Sequence, residues 1–231
     1  MNRIAGTALA VGLLLAALPA RAATVDVALV LAVDVSLSVT AEEYQLQREG
    51  IARAFESPAL VAAVTGGAHH VIDVMVLEWS DRDRQTATVG WTRITDAASA
   101  QAFANRVRAT QRSSQGLTAI GDAMLAAGAA FELLTDQAMR RVIDVSGDGM
   151  ANIGPPPADA RDALTAKGIT INGLVILNEE PWVDGYYNEN VVGGPGAFLM
   201  QVEDYRSFAA AIQQKLLSEL VALPQPLSPR T

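Results

Sequence analysis

Three short stretches of the chain carry oxygen-bearing side chains at spacings that could hold a hard cation. Asp34-Val35-Ser36-Leu37-Ser38 offers a carboxylate and two hydroxyls within five residues. Gly116-Leu117-Thr118 offers a third hydroxyl, and Gly147-Asp148-Gly149 a second carboxylate. Such ligands suit Mg²⁺, Mn²⁺ or Ca²⁺. Two hydroxyls on a small loop favour Mg²⁺ or Mn²⁺, with Ca²⁺ ranked below because it draws on more oxygens. Taken singly, each stretch has an ordinary reading. Ser, Thr and Asp cap helices, and Gly-Asp-Gly is common turn chemistry.

The elements around these stretches give them weight. Thr24 to Val33 reads as a first strand whose continuous apolar run suits burial on both faces, as in a parallel sheet. Asp34 to Ser38 follows it directly. Thr40-Ala41-Glu42-Glu43 is then a capping box that opens a helix to about Phe55, broken at Ser57-Pro58. Val71 to Trp79 is the second strand. A link too short for a crossover leads to Gln85–Trp91, so this third strand is expected as an antiparallel edge. Thr95 or Asp96 caps a helix to Arg108, and Thr118 opens another over Ala119–Leu134. Arg141 to Ser146 is the fourth strand and runs into Asp148. A helix over Ala158–Ala166, a fifth strand over Ile169–Leu177, a long irregular loop over Asn178–Gly196, a short sixth strand near Phe198–Val202 and a helix over Glu203–Val221 complete the pattern. The alternation predicts an α/β fold, doubly wound, with a mostly parallel sheet, one antiparallel edge strand and helices on both faces. In such a sheet the strand-to-helix loops leave from one edge, so the Asp34, Thr118 and Asp148 stretches are expected to meet there.

With these three stretches in this order, the sequence resembles a von Willebrand factor A domain with a metal-ion-dependent adhesion site. The family pattern is Asp-x-Ser-x-Ser, then a Gly-x-Thr, then a Thr-Asp-Gly-like turn; here Gly147 stands where Thr is commoner. Val142 to Gly149, with Glu189 to Gly196, also resembles an uncharacterised exported bacterial branch of that family. The resemblance covers roughly residues 24 to 222. It implies that Ser36 and Ser38 coordinate an ion directly, and Thr118 directly or through water. It implies that Asp34 and Asp148 act through waters or hydrogen bonds to the hydroxyls, and that one coordination place is left for a partner's Asp or Glu carboxylate. The implied function is an exported metal-dependent protein-binding module. The alternative is a Mg²⁺-dependent hydrolase or phosphatase with Asp34 as nucleophile.

Residues 1 to 22 read as a signal peptide: Arg3, an apolar stretch from Ile4 to Leu18, and Ala20-Arg21-Ala22 as a cleavage site. The expected destination is periplasmic or secreted, with no membrane span in the mature chain, which would be a monomer on its own. Residues 23–222 form the expected domain and 223–231, with three Pro, a disordered tail. Removing two Arg takes the net charge from −8 to −10, which argues against nucleic acid as a partner. Neither a G-x-S-x-G elbow nor a G-x-G-x-x-G after the first strand is present. His69-His70 fall on the opposite edge, without soft ligands for zinc. Asp144, inside an apolar strand, needs a partner, and Arg140 or Arg141 is the expected one. Glu78 is expected to be solvated. Trp182, Tyr186 and Tyr187 overhang the metal edge, either as contact anchors or as packing under a loop.

Overall fold

An all-apolar strand must be covered on both faces, and the first strand lies at the centre of the sheet. The computed structural model describes residues 23–178 and 180–221. The expected signal peptide and tail lie outside the described residues. β1 (Thr24–Asp34) pairs in parallel with β2 (Ile72–Trp79) on one side. On the other it pairs in parallel with β4 (Gln137–Gly147). β3 (Gln85–Ile94) is the antiparallel edge beside β2. β5 (Ile169–Ile176) and β6 (Leu199–Val202) extend the parallel part. The order is β3-β2-β1-β4-β5-β6. The chain winds outward from β1 in both directions, so the switch point lies between β1 and β4.

The period-two alternation of β1 divides the core. Val27, Leu29, Leu31 and Val33 face one layer, with α1 (Ala41–Glu56), α2 (Pro58–Thr65), α3 (Ala97–Ala109) and α7 (Phe208–Val221). Ala28, Val30 and Ala32 face the other, with α4 (Ile120–Ala130), α5 (Pro157–Thr165) and α6 (Val183–Asn190). Small Ala side chains on the second face let the Ala-rich α4 approach closely. α1 begins with the expected capping box: Thr40 Oγ1 accepts from Glu43 N–H, and the Glu43 carboxylate accepts from Thr40 N–H.

Several elements differ from the sequence reading. Pro58 does not simply end α1; it occupies the first turn of a second helix, where its missing N–H costs nothing. The stretch expected as irregular over 178–196 holds α6, whose buried Val183 and Tyr187 supply the apolar face. α7 starts at Phe208 rather than Glu203, because Asp204 turns the chain by accepting from Ser207 N–H. β4 begins four residues earlier than expected, extended by pairing with β1 as far as Thr24.

Asp144 does not pair with Arg140 or Arg141. Its partner is Lys215 of α7, fully buried, whose Nζ lies 2.5 Å from Asp144 Oδ1 and 2.7 Å from Glu219 Oε1. Asn172 also donates to Glu219, at 2.7 Å. The Arg140 guanidinium turns instead to the Glu219 backbone carbonyl, and Arg141 to that of Lys167. One buried cation thus lies between two buried carboxylates and ties α7 to β4. Burial pushes the Asp144 carboxyl up to about 7; Lys215 opposes the shift and Glu219 adds to it.

This cluster predicts two different mutational costs. Lys215→Met leaves two buried acids without a cation and should cost about 3–5 kcal/mol in denaturant unfolding. Asp144→Asn leaves Lys215 paired with Glu219 and should cost clearly less. A raised folded-state pKa favours the protonated form, so its contribution is complete below the ordinary carboxylate range and is lost as pH rises through about 7. Wild type should therefore lose stability across that interval, and Asp144→Asn should show a flatter profile. An equally steep profile in Asp144→Asn would contradict this assignment.

Candidate functional site

The site lies at the C-terminal edge of the sheet, astride β1 and β4. β1 ends in Asp34, whose carboxylate is fully buried. Asp34 Oδ1 accepts from Ser36 N–H at 2.7 Å, closing the turn on itself. Gln47 of α1 donates to the Asp34 carbonyl at 3.0 Å. This turn aims Ser36 and Ser38 at each other, with their hydroxyl oxygens 3.1 Å apart. Ser36 is buried, whereas Ser38 reaches solvent. Ser38 Oγ donates to Asp148 Oδ1 at 2.7 Å, joining the β1 loop to the β4 loop. Tyr205 Oη donates to the other oxygen, Asp148 Oδ2, at 3.0 Å.

Thr118 enters from the loop before α4. It does not cap that helix: Ala119 holds the capping position, without a side-chain cap. Asn152 of the β4 loop instead grips the Thr118 backbone, its Oδ1 accepting from Thr118 N–H at 2.8 Å and its N–H donating to Thr118 O at 3.0 Å. The loop is also sewn to the loop after β1 by Leu37 N–H to Gly116 O at 2.9 Å, and to the residue after β2 by Ala119 N–H to Ser80 O at 2.8 Å. The Arg112 guanidinium donates to the Val35 and Ser36 carbonyls, at 2.7 and 2.6 Å. The structure thus brings the stretches of Asp34, Ser36, Ser38, Thr118 and Asp148 to one edge.

Glu78, expected to be solvated, is buried. Tyr44 Oη donates to its Oε1 at 2.8 Å and Ser113 N–H to its Oε2 at 2.7 Å. The loop over 111–118 folds across it, so Glu78 anchors the segment that presents Thr118. The three loop aromatics divide their roles: Trp182 is exposed, Tyr186 half-buried, and Tyr187 fully buried beneath the site. His69 and His70 lie before β2, at the far edge, as expected. Among the described residues no cluster of three or more His, Cys, Asp or Glu exists. Beside the two serine hydroxyls stand the carboxylates of Asp34 and Asp148.

The electrostatics of the site follow from burying those two carboxylates together. Burial, reinforced by the charge of Asp148, pushes Asp34 up to about 7, against the hydrogen bonds from Ser36. Burial likewise raises Asp148, opposed by the donors Ser38 and Tyr205. Asp34 Oδ2, Tyr187 Oη and Trp79 Nε1 are all buried without a hydrogen-bond partner. They surround Gly147. A Cβ on that residue would collide with the Tyr187 hydroxyl and stand 2.9 Å from Asp34 Oδ2. This explains glycine at 147: the phenol of α6 fills the space a side chain would occupy.

The fold is that of a von Willebrand factor A domain. It is similar to proximal thread matrix protein 1 (PTMP1) from the mussel byssus with a zinc-occupied MIDAS motif, at TM-score 0.61 and 13% identity over 85% of this chain and 48% of that one. It is similar to a von Willebrand factor type A protein from Catenulispora acidiphila, at TM-score 0.60 and 14% identity over 85% and 43%. It is also similar to the vWF domain of the type V pili tip protein Mfa5 from Porphyromonas gingivalis, at TM-score 0.58 and 10% identity over 89% and 99%. The chain spans about half the length of the first two. At these identities the likeness establishes the fold. No curated protein matches the chain. The chain belongs to the family described as "Protein of unknown function (DUF1194)", whose model matches residues 24–224.

The packing at Gly147 can be tested by a double-mutant cycle in urea. Gly147→Ala should destabilise by about 1–3 kcal/mol through overpacking. Adding Tyr187→Phe removes the colliding oxygen and should recover part of that loss, so the two effects should be non-additive. Additive effects would mean that Tyr187 does not set the residue at 147.

Proposed function

We propose that this protein is an exported, non-enzymatic binding module. In this reading a divalent ion, Mg²⁺ or Mn²⁺ ahead of Ca²⁺, is held by Ser36, Ser38 and Thr118 with Asp34 and Asp148 behind them, and captures an Asp or Glu carboxylate of a partner protein. The observation that carries the proposal is the contact between the two serine hydroxyls, next to two buried carboxylates. Adjacent ligands of an octahedral ion with bonds of about 2.1 Å are about 3.0 Å apart. Ser36 Oγ and Ser38 Oγ, 3.1 Å apart, fit that spacing without rearrangement. Thr118 Oγ1 makes no hydrogen bond among the described residues, so its lone pairs are free for the same task. The unpartnered Asp34 Oδ2 supplies an acceptor for a metal-bound water or for a neighbouring donor.

The donor set also bears on what the ion would do. Neutral hydroxyls leave its charge largely unquenched, so when bound it would supply a local positive field that attracts an acidic group. A cation there would also offset the repulsion between Asp34 and Asp148. The zinc-occupied MIDAS of PTMP1 supports a divalent ion at such a site in this fold. Export is supported by the signal-peptide reading of residues 1–22. Among the described residues no helix is long and apolar enough to cross a membrane. The hydrolase alternative needs an accessible nucleophile, and Asp34 is fully buried, with Oδ1 engaged by Ser36 and Oδ2 facing inward toward Gly147.

Thermal melts in EDTA, Mg²⁺, Mn²⁺ and Ca²⁺ test this reading. An ion at about 100 times its Kd should stabilise by about 2.7 kcal/mol, raising Tm by about 5–10 °C. Mg²⁺ and Mn²⁺ should give this rise, and Asp34→Ala or Ser36→Ala should abolish it. A rise that survives both substitutions would place any bound ion elsewhere and overturn the proposal.

A further inference from the structure

The rim of this edge carries side chains that neither the fold nor a metal site requires. Eight large hydrophobic residues are exposed among the described residues, and four of them stand around the site: Leu37 at 67%, Leu117 at 43%, Met150 at 37% and Trp182 at 64%. Scattered exposed apolar residues need no explanation, but a group ringing a polar centre does. Each of the first three adjoins a residue of the site. Leu37 lies between Ser36 and Ser38, Leu117 precedes Thr118, and Met150 follows Asp148 by two residues.

The hydrogen bonds that sew the loops together also bring the segments that carry these side chains together. Leu37 N–H on Gly116 O sets Leu37 next to Leu117. Asn152, gripping both backbone groups of Thr118, draws the Met150 loop against the Leu117 loop. Trp182 immediately precedes α6, whose Tyr187 reaches Gly147, so α6 lies against the end of β4. Four apolar side chains from three loops and one helix start therefore make an exposed apolar collar along the edge that carries Ser38, the exposed hydroxyl of the site.

The centre of the collar has the opposite character. Asp34 and Asp148 lie there, and Glu43 is near enough for its charge to act on Asp148. A carboxylate approaching this centre is opposed unless a cation is present, and each further acid on the ligand adds repulsion. The side chains of the collar are apolar, apart from the Trp182 indole N–H. The matching ligand is one negative group with apolar surroundings.

We propose that Leu37, Leu117, Met150 and Trp182 form a docking collar for a protein segment in which a single carboxylate is flanked by large apolar side chains. This inference rests on the proposed metal-dependent reading and adds the chemistry of the segment. The ion would fix the carboxylate, and the collar would provide the apolar contacts that distinguish this segment from any other acidic peptide. Aromatic and long aliphatic anchors around a desolvated polar contact are the usual source of affinity at protein interfaces.

The test is fluorescence anisotropy of the purified protein with defined peptides in saturating Mn²⁺ or in EDTA. One peptide carries a single Glu flanked by Leu and Phe. A second carries the same Glu flanked by Ser, a third replaces Glu by Gln in the apolar setting, and a fourth presents its only carboxylate at an apolar C-terminus. The apolar-flanked Glu peptide should bind about tenfold or more tightly than the Ser-flanked one, in Mn²⁺ only, since burying even one Leu-sized side chain is sufficient for that ratio. The fourth peptide tells an internal acid from a terminal one; binding of either supports the collar. Leu37→Ser and Trp182→Ser should each reduce the advantage, while leaving the Mn²⁺-induced rise in Tm and the Ser-flanked affinity unchanged. Equal, Mn²⁺-dependent binding of the apolar- and Ser-flanked peptides would overturn the collar and leave the metal reading standing. Binding of the Gln peptide as tightly as the Glu peptide, or no binding of any acidic peptide in Mn²⁺, would overturn both.

Discussion

Two carboxylates buried at the ends of adjacent strands are the constraint on which this site depends. Asp34 and Asp148 lie where β1 and β4 deliver their chains to the same edge, in low dielectric; burial raises both, and the charge of Asp148 adds to the cost of ionising Asp34. A buried acid must be hydrogen-bonded, neutralised by a proton or matched by a cation. The local architecture can be read as answers to that requirement. Ser36 N–H serves Asp34, while Ser38 and Tyr205 serve Asp148. Asp34 Oδ2 is left over. A divalent ion would complete the balance, which makes the cost of burying these acids the physical basis of the proposed function.

The supporting contacts lie on a larger frame. The loop that carries Thr118 is fixed to Glu78 through Ser113, to the loop after β1 through Leu37 and Arg112, to Ser80 just after β2 and to the β4 loop through Asn152. Tyr44, which helps to hold Glu78, belongs to α1, the helix opened by the Thr40 capping box. A second charged cluster, Asp144–Lys215–Glu219, lies four residues before Asp148 on β4 and ties α7 to that strand. Both clusters are buried acids near the sheet, but they are balanced differently. One contains its own cation in Lys215, whereas the other presents the Ser38 hydroxyl toward solvent.

The local parts of this arrangement were legible in the sequence. The apolar run of β1, the capping box at Thr40, the short link before β3 and the alternation of elements determine the architecture through near-neighbour physics, and the architecture follows. The meeting of the Asp34, Thr118 and Asp148 stretches also follows, because parallel topology sends their loops to one edge. What escaped were pairings between distant segments. Nothing near Asp144 announces Lys215, since a lysine on an apolar helix face reads as solvated until the helix is placed. Glu78 looked like a strand-end acid because its partners, Tyr44 and Ser113, come from other elements. α6 was hidden by glycine and polar residues, its buried side being only Val183 and Tyr187. The grip of Asn152 on Thr118 had no sequence signal at all. Glycine at 147 was visible as a departure from the family pattern, but its reason, the Tyr187 phenol, required the fold.

The central claim is that Ser36 and Ser38 hold an ion that keeps coordination places open. Water-proton relaxation during a Mn²⁺ titration, with free Mn²⁺ counted by electron paramagnetic resonance, tests it most directly. The account predicts one tight Mn²⁺ per chain with strong relaxation enhancement, because waters remain on the ion, and loss of that ion in the Ser36→Ala, Ser38→Ala double variant. One tight Mn²⁺ without enhancement would mean a closed site. Unchanged binding in the double variant would mean that the serines are not ligands, and either result would contradict the account.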